Sequence, residues 1–489
     1  MNKSTKFSTI FMIALAILIS ALVWYLQSKD SNNSTVTTPE QVNKLTADNS
    51  ADKDKDKAKI VEAVIDKSGD TGDCLADSSW FPHNSTERTN DATFASSSNC
   101  EFHQWAWQNF LWLTQDVNGE PRFMSFVSPE SLIGQDRPGM LPRMAKSDTT
   151  ESFDEFLQAG TDGIFVAHNG RSVYYSQYLD ETFVGFVESN NLTDPTTLRN
   201  LVKSDPSTSF PVVNTTGAME LKASWVIVEP GDNVSDMFTT QTQVAKLVNK
   251  NGTIAIDTTQ IETVTVALVG FHIAGVVEGH PEMIWATFEH VRNAPNVPTD
   301  LPLEEVVSQD DFTFYTANTT LADCNVNYTS SNQLVLDEAT QELSPISQAC
   351  RFYQYGNANG VNTINDNNIA DLNTSVDALF DDSDIWKNYQ EVGAIWFKGE
   401  NTLEPAMSIA TDTLLSGSLS LSNSTIETFT QVASTENNCF RCHNTLQQLP
   451  SQPGLEALPA SNLNISHALL NIYFWSQEND QTNQTTGNE

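Results

Sequence analysis

The hydrophobic pattern begins with an unbroken apolar stretch, Phe7 to Leu26, FSTIFMIALAILISALVWYL, which carries no charged residue. A helix of that length reaches about 30 Å, the thickness of a bilayer's hydrocarbon. Lys3 and Lys6 precede it, and Trp24 and Tyr25 stand at its far end. Basic residues before the span and interfacial aromatics after it are the signature of an inner-membrane helix with a cytoplasmic N-terminus. Residues 1–26 therefore read as a membrane anchor, or as a signal peptide if the segment is cleaved, and the chain beyond residue 26 reads as exported. The expected location is the periplasmic side of the bacterial inner membrane, or the periplasm or exterior after cleavage. Residues 27–73 are polar and lack periodic apolar positions apart from IVEAVI at 60–65. They read as a flexible linker with a reach of about 38 Å.

From Cys74 onward the apolar positions recur at folding periods. FHQWAWQNFLWLTQ at 102–115 places Phe102, Trp105, Phe110, Leu111, Trp112 and Leu113 at spacings that suit a buried helix. Alternating or β-branched runs at 163–167, 182–187, 221–229, 243–248 and 263–270 predict strands, with PGD at 230–232 and KNG at 250–252 as turns between them. A C-terminal helix is expected through HALLNIYFW, capped by Ser466. The fold class is α+β: a β-rich body at 74–436, a helical segment at 437–477 packed on it, and a disordered polar tail at 478–489.

Composition then narrows the partners. The 489 residues hold 62 Asp and Glu against 25 Lys and Arg, a formal net charge of −37. Such an excess, with no basic cluster, repels phosphate backbones and excludes nucleic acid as a partner.

Six cysteines fit an exported chain. Two stand close together at 439 and 442. The other four, Cys74, Cys100, Cys324 and Cys350, permit three pairings. The local pairing of Cys74 with Cys100 and Cys324 with Cys350 is expected because it closes two short loops.

The chemical signal is Cys439-Phe440-Arg441-Cys442-His443, which is CxxCH. Two thiols at that spacing reach the vinyl groups on one edge of a haem, and the histidine next to them meets the iron. Zinc would need a second pair of ligands, and a thioredoxin-like site would need a βαβ context; neither pattern surrounds this motif. One covalent haem c is expected, with His443 on the iron. No methionine follows His443, so the second axial ligand is sought at His467 downstream or Met407 upstream.

A second cluster, GFHIAGVVEGHPEMIWATFEHVRNAP at 270–295, places His272, His280 and His290 beside Glu278, Glu282 and Glu289. It could serve as a non-haem metal site, an acid/base pair over the haem, a source of an axial ligand, or a structural strand pair. If it is functional, Glu289 and His290 near the haem edge are the favoured catalytic pair, although consecutive strand residues point to opposite faces. His83, His103 and His168 read as hydrogen-bonded or surface histidines. The oxygen-rich runs at Asp381, Asp382 and Asp384 and at Asn365, Asp366 and Asn367 do not follow the EF-hand pattern and read as solvated loops.

The segments FHQWAWQNFLWLT, MELKASWVIV, ALVGFHIAG, HPEMIWATFEHVRNAP, LSNSTIETF and NCFRCH together resemble a family of exported bacterial single-haem proteins of the cytochrome c family. The resemblance spans roughly residues 100 to 445 and implies covalent haem at Cys439 and Cys442 with His443 as axial ligand; it implies no substrate. The expected function is electron transfer with a redox partner protein. The alternative is a haem-dependent oxidoreductase, peroxidase- or oxygenase-like, with an open iron position.

Overall fold

The computed structural model describes residues 73–486 apart from 95–97, 136–139, 143–162, 330–332, 358–362, 400–401, 409–413, 432–436 and 451–453. The anchor at 7–26 and all but the last residue of the linker lie outside the described residues.

Eight antiparallel strands make the central sheet. They are β1 (Leu141–Pro142), β2 (Val173–Leu179), β3 (Met219–Ile227), β4 (Thr239–Lys250), β5 (Thr253–Val277), β6 (His280–His290), β7 (Tyr389–Phe397) and β8 (Leu415–Gly417). Their order is β8-β7-β6-β5-β3-β2-β1, with β4 paired along the first part of the long β5. β2 and β3 are buried at every position, as strands covered on both faces must be. The KNG turn forms as expected: Lys250 pairs with Thr253, and Asn251 and Gly252 take φ of 53° and 85°. Two consecutive positive φ values are what a two-residue hairpin loop needs.

The helices are α1 (Asn99–Thr114), α2 (Pro129–Leu132), α3 (Glu181–Ser189), α4 (Pro195–Ser204), α5 (Thr363–Leu379), α6 (Cys439–Cys442) and α7 (His467–Thr486). The chain is thus α+β with a strand-rich body, as its periods predict. α1 starts at a capping box in which the Ser98 amide donates to Glu101 at 2.8 Å. It lays Trp105, Trp107 and Phe110 on one sheet face, where Phe110 stacks on Phe288 with centroids 4.3 Å apart. The opposite face carries α6, α7 and the loop at 418–431, with Ile395, Phe440, Ile465 and Leu469 in one apolar cluster. Ser466 caps α7, accepting the Leu469 N–H at 3.1 Å. Both expected disulfides are present, Cys74–Cys100 and Cys324–Cys350.

Three expectations need correction. The run at 182–187 is part of helix α3, because Asp180 accepts the Phe183 N–H at 2.9 Å and Phe183 and Val187, four apart, share the buried face. The run at 163–167 makes only an isolated bridge, Val166 to Ser172. The polar tail is not wholly unstructured, since α7 continues to Thr486.

Candidate functional site

Side chains of an antiparallel sheet stand in transverse rows, and three such rows cross the face that carries α6. Leu179, Glu220, Ala274, Trp285 and Ile395 form one row across β2, β3, β5, β6 and β7. Gln177, Lys222, His272, Thr287 and Gly393 form the next. Tyr175, Ser224, Gly270 and Glu289 form the third. The middle row is a polar band beside the more apolar first row. Lys222 is buried with Nζ 5.7 Å from the Tyr175 ring, and Gln177 accepts the Asn471 amide of α7 at 3.2 Å.

The CxxCH motif sits on the first row. Phe440 is fully buried between Trp285 and Phe397, with ring centroids 6.3 and 5.1 Å away, and pins the single turn α6 to the sheet. Cys439 is half-buried, Cys442 is exposed, and neither is in a disulfide. Burial pushes the Cys439 thiol well above its ordinary range, and the Glu427 carboxylate and Cys442 push it further. That is the reverse of what an attacking thiolate at Cys439 needs.

His443 comes directly after the turn, with its ring between Trp285 and His467, each centroid 3.9 Å away. Its Nδ1 lies 2.9 Å from the Ile465 carbonyl oxygen. A carbonyl only accepts, so Nδ1 carries the hydrogen and Nε2 keeps the lone pair that a metal takes. The residues present therefore fit a c-type haem: two reduced thiols at the required spacing and an imidazole in the ligating tautomer. Beside Cys439, the buried Asn438 amide has no partner for either polar atom among the described residues.

His467 Nε2 is 3.2 Å from the Cys442 carbonyl oxygen, and its ring lies face to face with His443 at 24°. Two ligands on opposite sides of a metal do not stack in this way; in this arrangement His467 clamps the His443 ring. Met407 is half-buried against the same apolar cluster as Cys439. Its N–H donates to Thr445 Oγ1 at 2.7 Å, which fixes its loop beside the motif.

The histidine-rich cluster is taken apart by the fold. His280 pairs with Glu282 at 2.7 Å under Phe102. Glu289 is fully buried, accepting from Arg351, from the Ser424 hydroxyl and amide, and from Asn293. His290 points the other way, toward Asp236 and Tyr389. Neither Glu289 nor His290 lines the cavity at Cys439. That place belongs to His272, whose Nε2 is 3.5 Å from Glu427 Oε1. Glu427 is the site residue that the sequence does not single out. Its only signal is membership in LSNSTIETF, the segment that folds over the polar row.

The remaining histidines behave as expected: His83 binds Asp384 at 2.8 Å, His103 binds Glu391 at 2.6 Å in the core, and His168 is exposed. The oxygen-rich runs are structural. Asp384 caps the turn at Ile385–Asn388, and Asn365 is a buried residue of α5 bonded to His103, not part of a solvated loop. Among the described residues no group of three His, Cys, Asp or Glu could hold a metal ion.

Comparison of the chain with protein-family models, curated proteins and solved structures finds no match in any of the three.

Proposed function

We propose that this is an exported c-type haem protein, similar to single-haem members of the cytochrome c family, that works in electron transfer beside the bacterial inner membrane. One haem is held covalently by Cys439 and Cys442, with His443 on the iron. The observation that carries the reading is the His443 ring, whose Nδ1–H is tied to the Ile465 carbonyl so that Nε2 bears the lone pair a metal takes. When bound, the haem supplies a one-electron couple. The chain's own residues fix its seat: Phe440 anchors the turn, Ile465 holds the proton on Nδ1, and Trp285 and His467 stop the imidazole from rotating. Of the two candidates for the second axial position we favour Met407, because His467 is already engaged with Cys442 and stacked on His443.

A second reading, a haem-dependent oxidoreductase of peroxidase or oxygenase type, is favoured by one observation. An imidazole and a buried carboxylate, His272 and Glu427, share a cavity with Cys439. In that reading they take the acid/base roles for which Glu289 and His290 were the sequence candidates.

The test is the optical spectrum of the purified full chain, oxidised and reduced, with pyridine haemochrome quantification and added carbon monoxide. One low-spin haem c without a carbon monoxide shift supports the electron carrier. A high-spin spectrum that shifts supports the oxidoreductase. Absence of haem overturns both, as does full haem staining of Cys439→Ala.

A further inference from the structure

The cavity at Cys439 is built to hold something small. Its wall includes His272, Trp285 and Thr287 from the sheet and Ser420 and Glu427 from the loop above, and Cys439 closes one side. Its volume is about 20 Å³. A water needs about 10–15 Å³ measured in this way, so there is room for a molecule of roughly one or two heavy atoms.

The polar groups around it are unequal. The Ser418 hydroxyl donates to the Tyr355 carbonyl at 2.8 Å, and that of Ser422 to Val392 at 2.9 Å. Gly393 permits this crowding, because a Cβ there would stand 2.8 Å from Ser418 Oγ and 3.1 Å from Ser422 Oγ. Ser420 differs: it is only 4% exposed, and its Oγ has no partner among the described residues. A buried hydroxyl without a partner costs stability, so its presence at a cavity wall points to a ligand that completes it. Glu427 is also buried. Its Oε2 accepts the Ser422 and Asn423 amides at 3.1 and 3.0 Å, while Oε1 stands 3.5 Å from His272 Nε2.

We propose that this cavity is a binding site for a small uncharged protic molecule of the hydroxylamine or hydrogen peroxide class, held by Ser420, Glu427 and His272 against Cys439. The groups suit that class, which donates and accepts as a water does and is one heavy atom larger. Ser420 both donates and accepts, and the Glu427 carboxylate accepts a donor and repels small anions. Size excludes anything larger. The site rests on the haem reading only for what lies next to the ligand; the pocket itself does not depend on it.

The experiment titrates the full haem-bearing chain with hydroxylamine, following heat and the Soret band together, for wild type, Ser420→Ala, Ser420→Val and Glu427→Gln. Saturable one-to-one binding without a Soret shift is expected. It should weaken by about tenfold in Ser420→Ala, where a single hydrogen bond is removed, and vanish in Ser420→Val, where methyl groups fill the space. Equal binding by wild type and Ser420→Val overturns the site. So does a Soret shift that saturates with the heat, which puts the probe on iron, and so does the absence of saturable binding. Pyridine haemochrome on the same sample separates the two ideas: serine-dependent binding by a chain without haem sinks the haem reading and leaves the site standing.

Discussion

Replacing His290 with glutamine should flatten the acid limb of the stability curve. The imidazole is fully buried; Nδ1 accepts the Arg292 backbone N–H at 3.2 Å, and Nε2–H donates to the Asp236 carbonyl at 3.1 Å. Both nitrogens are thus used by the neutral ring, and a proton arriving at Nδ1 would displace the Arg292 amide. Burial lowers the pKa from 6.5 to about 4, with the nearby Asp236 opposing it only in part. Moving the midpoint that far, at about 1.36 kcal/mol per pH unit, corresponds to about 3 kcal/mol. Because the folded value lies below the unfolded one, the folded chain binds fewer protons between them. The stabilisation is complete above pH 6.5 and is lost as the pH falls toward 4. Against a usual total of about 5–15 kcal/mol, this is large enough to measure. Urea unfolding of wild type and His290→Gln at pH 7, 5.5 and 4 is the assay. The loss between pH 7 and 4 should be about 3 kcal/mol smaller in the variant, and parallel curves would refute a neutral, buried His290.

Two further substitutions separate structure from chemistry. Glu289→Ala strands the buried Arg351 charge and should cost about 3–5 kcal/mol in urea unfolding, while Glu289→Ala with Arg351→Met recovers at least half of it; a loss below about 1 kcal/mol in the single variant would remove the structural role assigned here. Phe440→Ala empties the pin beneath α6 and should cost about 3–5 kcal/mol together with a fall in haem per chain; unchanged melting and full haem content would show that the turn is held by something else.

How much of the structure is legible in the sequence depends on the range of the force that sets each part. α1, the long strands and the Asn251-Gly252 hairpin are set by neighbours a few positions apart, so periodicity and turn chemistry find them. At 182–187 composition misleads: Phe and Val suggest a strand, but the Asp180 cap and the four-residue spacing of Phe183 and Val187 decide for a helix. CxxCH is legible because its members are contiguous. The polar row is not, because Lys222, His272 and Thr287 meet only through strand register and Glu427 arrives on a distant loop. Glu289 and His290 draw attention by density, yet density in sequence does not say which face of a sheet a residue takes.

The anchoring of α6 has a consequence for how the molecule comes into being. Its surroundings are assembled from remote parts of the chain: Gln177 meets Asn471 at a separation of 294 residues, and Glu220 meets Ser466 at 246. Contacts of such long range form slowly. Once they close, Cys439 is half-buried and its thiol is less ready to ionise. If haem is attached there as proposed, attachment through that sulfur is easier before the sheet and α7 shut over the motif. On the haem reading, maturation becomes a race between ligation and closure, and a chain that closes first is the poorer acceptor of its cofactor.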